Sequence, residues 1–147
     1  MIQSGNTIFR DNGFPTSALN ILLVDDDRNL AITLCDGLRK AIGGEISVVC
    51  CFSGSEAQAL LASQAFDLVI SDFNMPGMSG LELLKKIRQG HPDTSLILIS
   101  AYATEAHLEE VHRLGIVYIA KPFEISLLVG PIQDLIRRKR SELENVH

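Results

Sequence analysis

Three consecutive aspartates, Asp25, Asp26 and Asp27, follow the apolar run Asn20–Val24 (NILLV). A fourth, Asp72, follows a second such run, Asp67–Ser71 (DLVIS). Ser100 ends a third, Ser95–Ser100 (SLILIS), and Lys121 stands just past a fourth, Ile116–Ala120 (IVYIA). Carboxylates brought close raise one another's pKa and cost stability unless a cation offsets them. A hard divalent cation does so, and Mg²⁺ typically takes one or two carboxylates with waters and phosphate oxygens. A carboxylate can also attack a phosphoryl group and form an acyl phosphate. That transfer needs mainly positioning and neutralisation of charge on the equatorial oxygens. Asp26 and Asp72 suit the cation, and Asp72 suits the attack. Lys121 supplies a second positive charge, and Ser100 a hydroxyl donor.

The structural reading of the same residues is helix capping by Asp26 or Asp27 and a surface lysine at Lys121. For one aspartate alone, capping is the better reading. For aspartates at two strand ends with a lysine across from them, a metal or phosphate site is better. Lys121 also sits among mostly apolar neighbours, Tyr118–Ala120 and Pro122–Phe123, and its bond to Pro122 is of the kind that can be cis.

These residues need a frame that gathers them. The apolar runs, with Ile46–Phe52 (ISVVCCF) added, are short and rich in branched residues, as strands are. Three of the runs are apolar on both faces, as in a covered parallel sheet. Helical periods lie between them. Ala31, Leu34, Cys35, Leu38 and Ile42 form one stripe, and Ala57, Leu60 and Leu61 another. Leu81, Leu84 and Ile87 form a third, Leu108, Val111 and Leu114 a fourth, and Ile125–Ile136 a fifth. Five such units predict an α/β fold, a doubly wound five-stranded parallel sheet with five helices. Ligands of such sheets bind outside the carboxyl ends of the strands, where the aspartates, Ser100 and Lys121 fall. Pro131 interrupts the last stripe, so that helix either starts near Pro131 or kinks there.

The chain has 147 residues, a length for one domain. Residues 1–18 read as a loose extension, 19–139 as the domain and 140–147 as a tail or the start of a linker. The net charge is −5, although Arg137, Arg138, Lys139 and Arg140 crowd one end. An acidic body argues against a nucleic-acid surface. Cys35, Cys50 and Cys51 are odd in number and lack metal-site spacing. Cys50 and Cys51 point to opposite faces of a strand, so all three are expected to be free thiols in a reducing cytosol. No apolar run approaches the length of a membrane span.

The segments ILLVDDD (Ile21–Asp27), DLVISDFNMPGMSGLELL (Asp67–Leu84), ILISAYA (Ile97–Ala103) and YIAKPF (Tyr118–Phe123) together resemble a response regulator receiver domain of two-component signalling. The middle segment is most similar to the single-domain chemotaxis regulators. The resemblance spans about residues 19–139 and implies the flavodoxin-like receiver fold. It implies Asp72 as phosphoacceptor, Asp26 as direct metal ligand and Asp25 as one acting largely through water. Asn74 matches the position that gives a backbone carbonyl to Mg²⁺. Ser100 matches the hydroxyl that binds the phosphoryl group, Tyr118 the switch aromatic and Lys121 the lysine of the family. Asp27 is left to capping or charge support. Met75, Pro76, Gly77 and Gly80 match the turn after the phosphoacceptor, and Tyr102 is bulky enough to shade the phosphoryl group.

The implied activity is phosphotransfer to Asp72 from a sensor histidine kinase or phosphotransfer protein, self-catalysed, with autodephosphorylation at most, rather than enzymatic turnover. The implied readout is a change on the face of the fourth helix, fifth strand and fifth helix. Its target is a downstream output protein, a covalently linked output domain or a second copy of the chain, in the cytoplasm. Two competing readings exist. A phosphatase of the haloacid dehalogenase type would use Asp25 and Asp27 as nucleophile and acid, with Ser100 and Lys121 as helpers. It wants Thr or Val where Asn29 stands, and it leaves Asp72 unexplained. A pseudo-receiver acting only by docking is opposed by the complete residue set.

Overall fold

A computed structural model of the chain describes residues 18–145; residues 1–17 of the expected extension lie outside them. The strands are β1 (Leu19–Val24), β2 (Ile46–Cys51), β3 (Leu68–Asp72), β4 (Ser95–Ser100) and β5 (Ile116–Ala120). The helices are α1 (Arg28–Ile42), α2 (Gly54–Ser63), α3 (Gly80–Gly90), α4 (Glu105–Arg113) and α5 (Ser126–Asn145). All strand pairs are parallel, in the order β2-β1-β3-β4-β5. This is the predicted doubly wound α/β sheet.

The alternation of side chains along each strand divides the core in two. Ile21, Leu23, Ile70 and Ile97 pack against Leu34 and Leu38 of α1 and Leu128 and Ile132 of α5. Leu22, Val24, Val69 and Leu98 pack on the opposite face against Leu61, Leu84, Ile87 and Val111 of α2, α3 and α4. Every residue of β3 is buried, as a central strand covered on both sides requires. Helices α1–α4 begin at side-chain caps: Asp27, Ser53, Ser79 and Thr104 each accept from a backbone N–H in the first turn.

Three expectations are corrected. The α4 stripe is narrower than its period predicts: only Val111 is buried, and Leu108 is 40% exposed. Nor does the last helix start near Pro131. Leu127, Leu128 and Val129 already donate to Glu124 and Ile125 carbonyls, so Pro131 removes a donor within a helix already formed. The buried stripe Leu128, Ile132 and Ile136 holds that helix on the sheet. Opposite Gly130 and Pro131 a groove opens, and Val117 of β5 is 48% exposed.

The third correction concerns the thiols. Cys35 and Cys50 are joined as a disulfide between α1 and β2. Cys50 points to the α1 face, where the inward stripe of that helix carries Cys35. Cys51 points to the other face and is a buried free thiol, as expected. At the base of the sheet, Lys139 donates to the Ala18 carbonyl at 2.9 Å and to Asp67 Oδ2 at 2.8 Å. The same carboxylate oxygen accepts from the Asn20 N–H at 2.8 Å. Among the described residues no helix is long and apolar enough to cross a membrane.

Candidate functional site

The order of strands reverses between β1 and β3, and the crevice at such a switch point is where open α/β sheets bind ligands. Asp25 follows β1 and Asp72 ends β3, so the two carboxylates are placed together by topology alone. One ligand oxygen from each of Asp25, Asp26 and Asp72 lies within 4.8 Å of the other two. Asp25 and Asp72 are buried, and Asp26 is exposed. Lys121, just past β5, forms an ion pair with Asp72 Oδ1. Asp72 Oδ2 accepts from the Asn74 N–H at 3.0 Å.

Burial pushes the Asp25 carboxyl up to about 6, helped by the negative charge of Asp72. The Asp27 N–H, donating to Asp25 Oδ1 at 3.0 Å, and the charge of Lys121 act in the opposite direction. Three hard oxygen donors around one point, two of them on buried carboxylates whose charges need an offset, fit a divalent cation of the Mg²⁺ class. Asp27 does not join them. Its Oδ1 accepts from the Leu30 N–H at 3.1 Å and caps α1, as its capping alternative predicts.

Ser100 is 1% exposed at the end of β4. Its hydroxyl donates to the Tyr102 carbonyl at 2.6 Å and accepts from the Tyr102 N–H at 3.1 Å. The Ser100 carbonyl accepts from the Lys121 N–H at 2.9 Å and from the Tyr118 hydroxyl at 3.0 Å. The peptide bond between Lys121 and Pro122 is cis. Tyr102 itself is 84% exposed at the mouth of the crevice.

The loop after Asp72 is shaped by its glycines. Gly77 has φ +79°, open to glycine and strained for other residues. Gly80 starts α3 so close to the end of β3 that a Cβ there would lie 1.9 Å from the Asp72 carbonyl oxygen. Two contacts escaped sequence reasoning. Phe73, next to Asp72, meets the His107 ring of α4 at 4.8 Å. The backbone of Tyr102 holds Ser100. Both depend on loop paths that no periodicity encodes.

Comparison with known proteins agrees with this architecture. Residues 21–133 match the response regulator receiver domain family. The chain is 42% identical over 122 residues to the response regulator protein FleR of Pseudomonas aeruginosa, covering 82% of this chain and 24% of FleR. It is 32% identical over 129 residues to the transcriptional regulatory protein TctD of Salmonella typhimurium, covering 87% of this chain and 56% of TctD. The chain thus spans about a quarter to somewhat over half of these longer relatives. Among solved structures it resembles the Francisella response regulator 1452 receiver domain, with TM-score 0.72 and 28% identity. That match covers 82% of this chain and 98% of the other. It also resembles the Vibrio cholerae chemotaxis protein CheY4, with TM-score 0.71 and 26% identity over 80% of this chain and 98% of that one. With a five-stranded parallel sheet ordered around an acidic switch point, and the family match reaching all five strands, the chain belongs to the receiver domains of two-component response regulators.

Proposed function

We propose that Asp72 is the phosphoacceptor, taking a phosphoryl group from a phosphohistidine of a sensor kinase or phosphotransfer protein. One observation carries this reading: the buried Asp72 carboxylate is paired with Lys121 and shares a 4.8 Å cluster with Asp25 and Asp26. A carboxylate oxygen of Asp72 attacks phosphorus, the phosphorus–nitrogen bond breaks, and the imidazole departs with that electron pair. Asp25, Asp26 and Asp72, with the Asn74 carbonyl, would hold Mg²⁺. When bound, it supplies positive charge where the phosphoryl oxygens gather.

Lys121 exchanges its ion pair with Asp72 for the new phosphoryl oxygens. Ser100 turns its hydroxyl toward them, giving up its two bonds to Tyr102. The β4–α4 loop is thereby released, and Tyr118 follows the vacated space. A local charge event so biases a two-state surface formed by α4, β5 and α5. The change is read by a separate output protein or by an output domain joined to this one, in the cytoplasm. The domain turns over nothing beyond its own phosphorylation and dephosphorylation.

The test is incubation with acetyl phosphate and Mg²⁺, read by intact mass. Wild type should gain one phosphoryl mass and Asp72→Asn should not. Gain of that mass by Asp72→Asn, with none by wild type, overturns the assignment. Steady turnover of small phosphate esters, lost in Asp25→Asn and kept in Asp72→Asn, would favour the phosphatase reading.

A further inference from the structure

Cys35 and Cys50 face one another between α1 and β2, with Cα atoms 7.0 Å apart. Cys35 is 1% exposed, whereas Cys50 is half-buried. A small reagent therefore reaches Cys50 first. Cys51, its neighbour, is shut into the opposite face. Burial, followed by the nearby Glu56, pushes the Cys51 thiol up to about 11, so it stays protonated and unreactive.

The same two elements suspend the acidic loop. The Asp25 N–H donates to the Cys51 carbonyl of β2 at 3.1 Å. Asp27 caps α1, and the Asp27 N–H ties back to Asp25 Oδ1. Residues Asp25–Asp27 thus hang between the end of β2 and the start of α1. A bond from Cys35 to Cys50 fixes those supports to each other, about two turns into the helix and one residue away from Cys51.

We infer that Cys35 and Cys50 form a reversible thiol–disulfide site that stiffens the acidic loop and tightens its hold on a divalent cation. The oxidant is a low-molecular-weight disulfide. The Cys50 thiolate attacks one of its sulfurs, the reagent's sulfur–sulfur bond breaks, and one small thiolate leaves. The Cys35 thiolate then attacks the Cys50 sulfur of the mixed disulfide, and the second small thiolate leaves. Two electrons pass to the reagent, and the two protons of the cysteine thiols pass to solvent or to the departing thiolates. A small dithiol reverses both steps. The effect on the cation rests on the proposed metal role of Asp25 and Asp26; the thiol chemistry does not.

The experiment uses the full chain, reduced and then exposed to glutathione disulfide without denaturant. Intact mass and peptide mapping should show loss of two hydrogens and a Cys35–Cys50 cross-link. The cross-link should persist in Cys51→Ala and vanish in Cys50→Ala. Mg²⁺ is then titrated into both forms and followed by amide NMR shifts, with Kd about threefold or more lower in the oxidised form, as pre-organisation predicts. A stable mixed disulfide at Cys50 with no cross-link overturns the thiol site. Equal Mg²⁺ affinity in the two forms overturns the tightening. Absence of Mg²⁺ binding in both forms overturns the metal reading and the tightening together, while the mass result still decides the thiol site.

Discussion

The Tyr118 hydroxyl donates to the Ser100 carbonyl at 3.0 Å, the same oxygen that accepts the Lys121 N–H at 2.9 Å. Tyr118 and Lys121 are therefore tied to the end of β4 through one atom. Tyr118→Phe removes one of the two donors and leaves the carbonyl satisfied by the other. The expected loss is about 0.5–1.5 kcal/mol in urea denaturation. Phosphoryl mass uptake should be unchanged, because the Tyr118 hydroxyl is bonded to the Ser100 carbonyl and not to the carboxylate cluster. Failure of Tyr118→Phe to take up the phosphoryl group would place the hydroxyl in the transfer itself.

Asp25 titrates in the folded chain at about 6, against an ordinary value of 3.8. Between those values the folded chain holds a proton that the unfolded chain has released. Stability therefore falls as pH rises through that window, and the full cost, on the order of 2–3 kcal/mol, remains above it. In the presence of a chelator, Asp25→Asn should be more stable than wild type at pH 8 by about that amount, with the gain fading toward pH 4. Urea denaturation at both pH values measures it. An equal difference at the two would show that the burial of Asp25 is not the cause.

Lys121 is paired with the buried Asp72 carboxylate, and in the proposed transfer it passes to the phosphoryl oxygens. Lys121→Met should slow phosphorylation by acetyl phosphate by about 10²–10³-fold, the usual cost of removing one preorganised charge donor. Mg²⁺ binding, followed by NMR, should survive, since the lysine gives no ligand. A rate within a fewfold of wild type would remove Lys121 from the proposed mechanism.

Gly80 and Gly90 bound the same helix and respond oppositely to a methyl group. A Cβ at Gly80 would meet the Asp72 carbonyl oxygen at 1.9 Å, whereas one at Gly90 meets nothing within 4 Å. Gly80→Ala should destabilise by about 1–3 kcal/mol through forced backbone movement and slow phosphorylation. Gly90→Ala should be neutral or stabilising by about 0.5–1 kcal/mol. Denaturation midpoints of the two variants make the comparison.

What could be read from the residues follows from what periodicity encodes. Runs such as DLVIS and SLILIS placed Asp72 and Ser100 at strand ends, and the fold then put those ends on one edge. Asp27 was legible as a cap because capping is local. The hold of Tyr102 on Ser100 was not, because a loop backbone made it and no spacing reports a loop's path. Leu108 kept the helical period without being buried, since period gives a face but not how closely that face approaches the sheet. The Cys35–Cys50 pair was within reach. The stripe of α1 turned Cys35 inward, and strand alternation separated Cys50 from Cys51, but pairing depended on the distance between two elements.

The clamp at Lys139 divides α5 unequally. About 20 Å of helix rises from it toward Ser126, at the carboxyl end of the sheet, and about 9 Å continues past it to Asn145. The buried stripe Leu128, Ile132 and Ile136 ends three residues before that clamp. The Lys139–Asp67–Ala18 contacts therefore moor the helix by charge and carbonyl where its apolar packing stops.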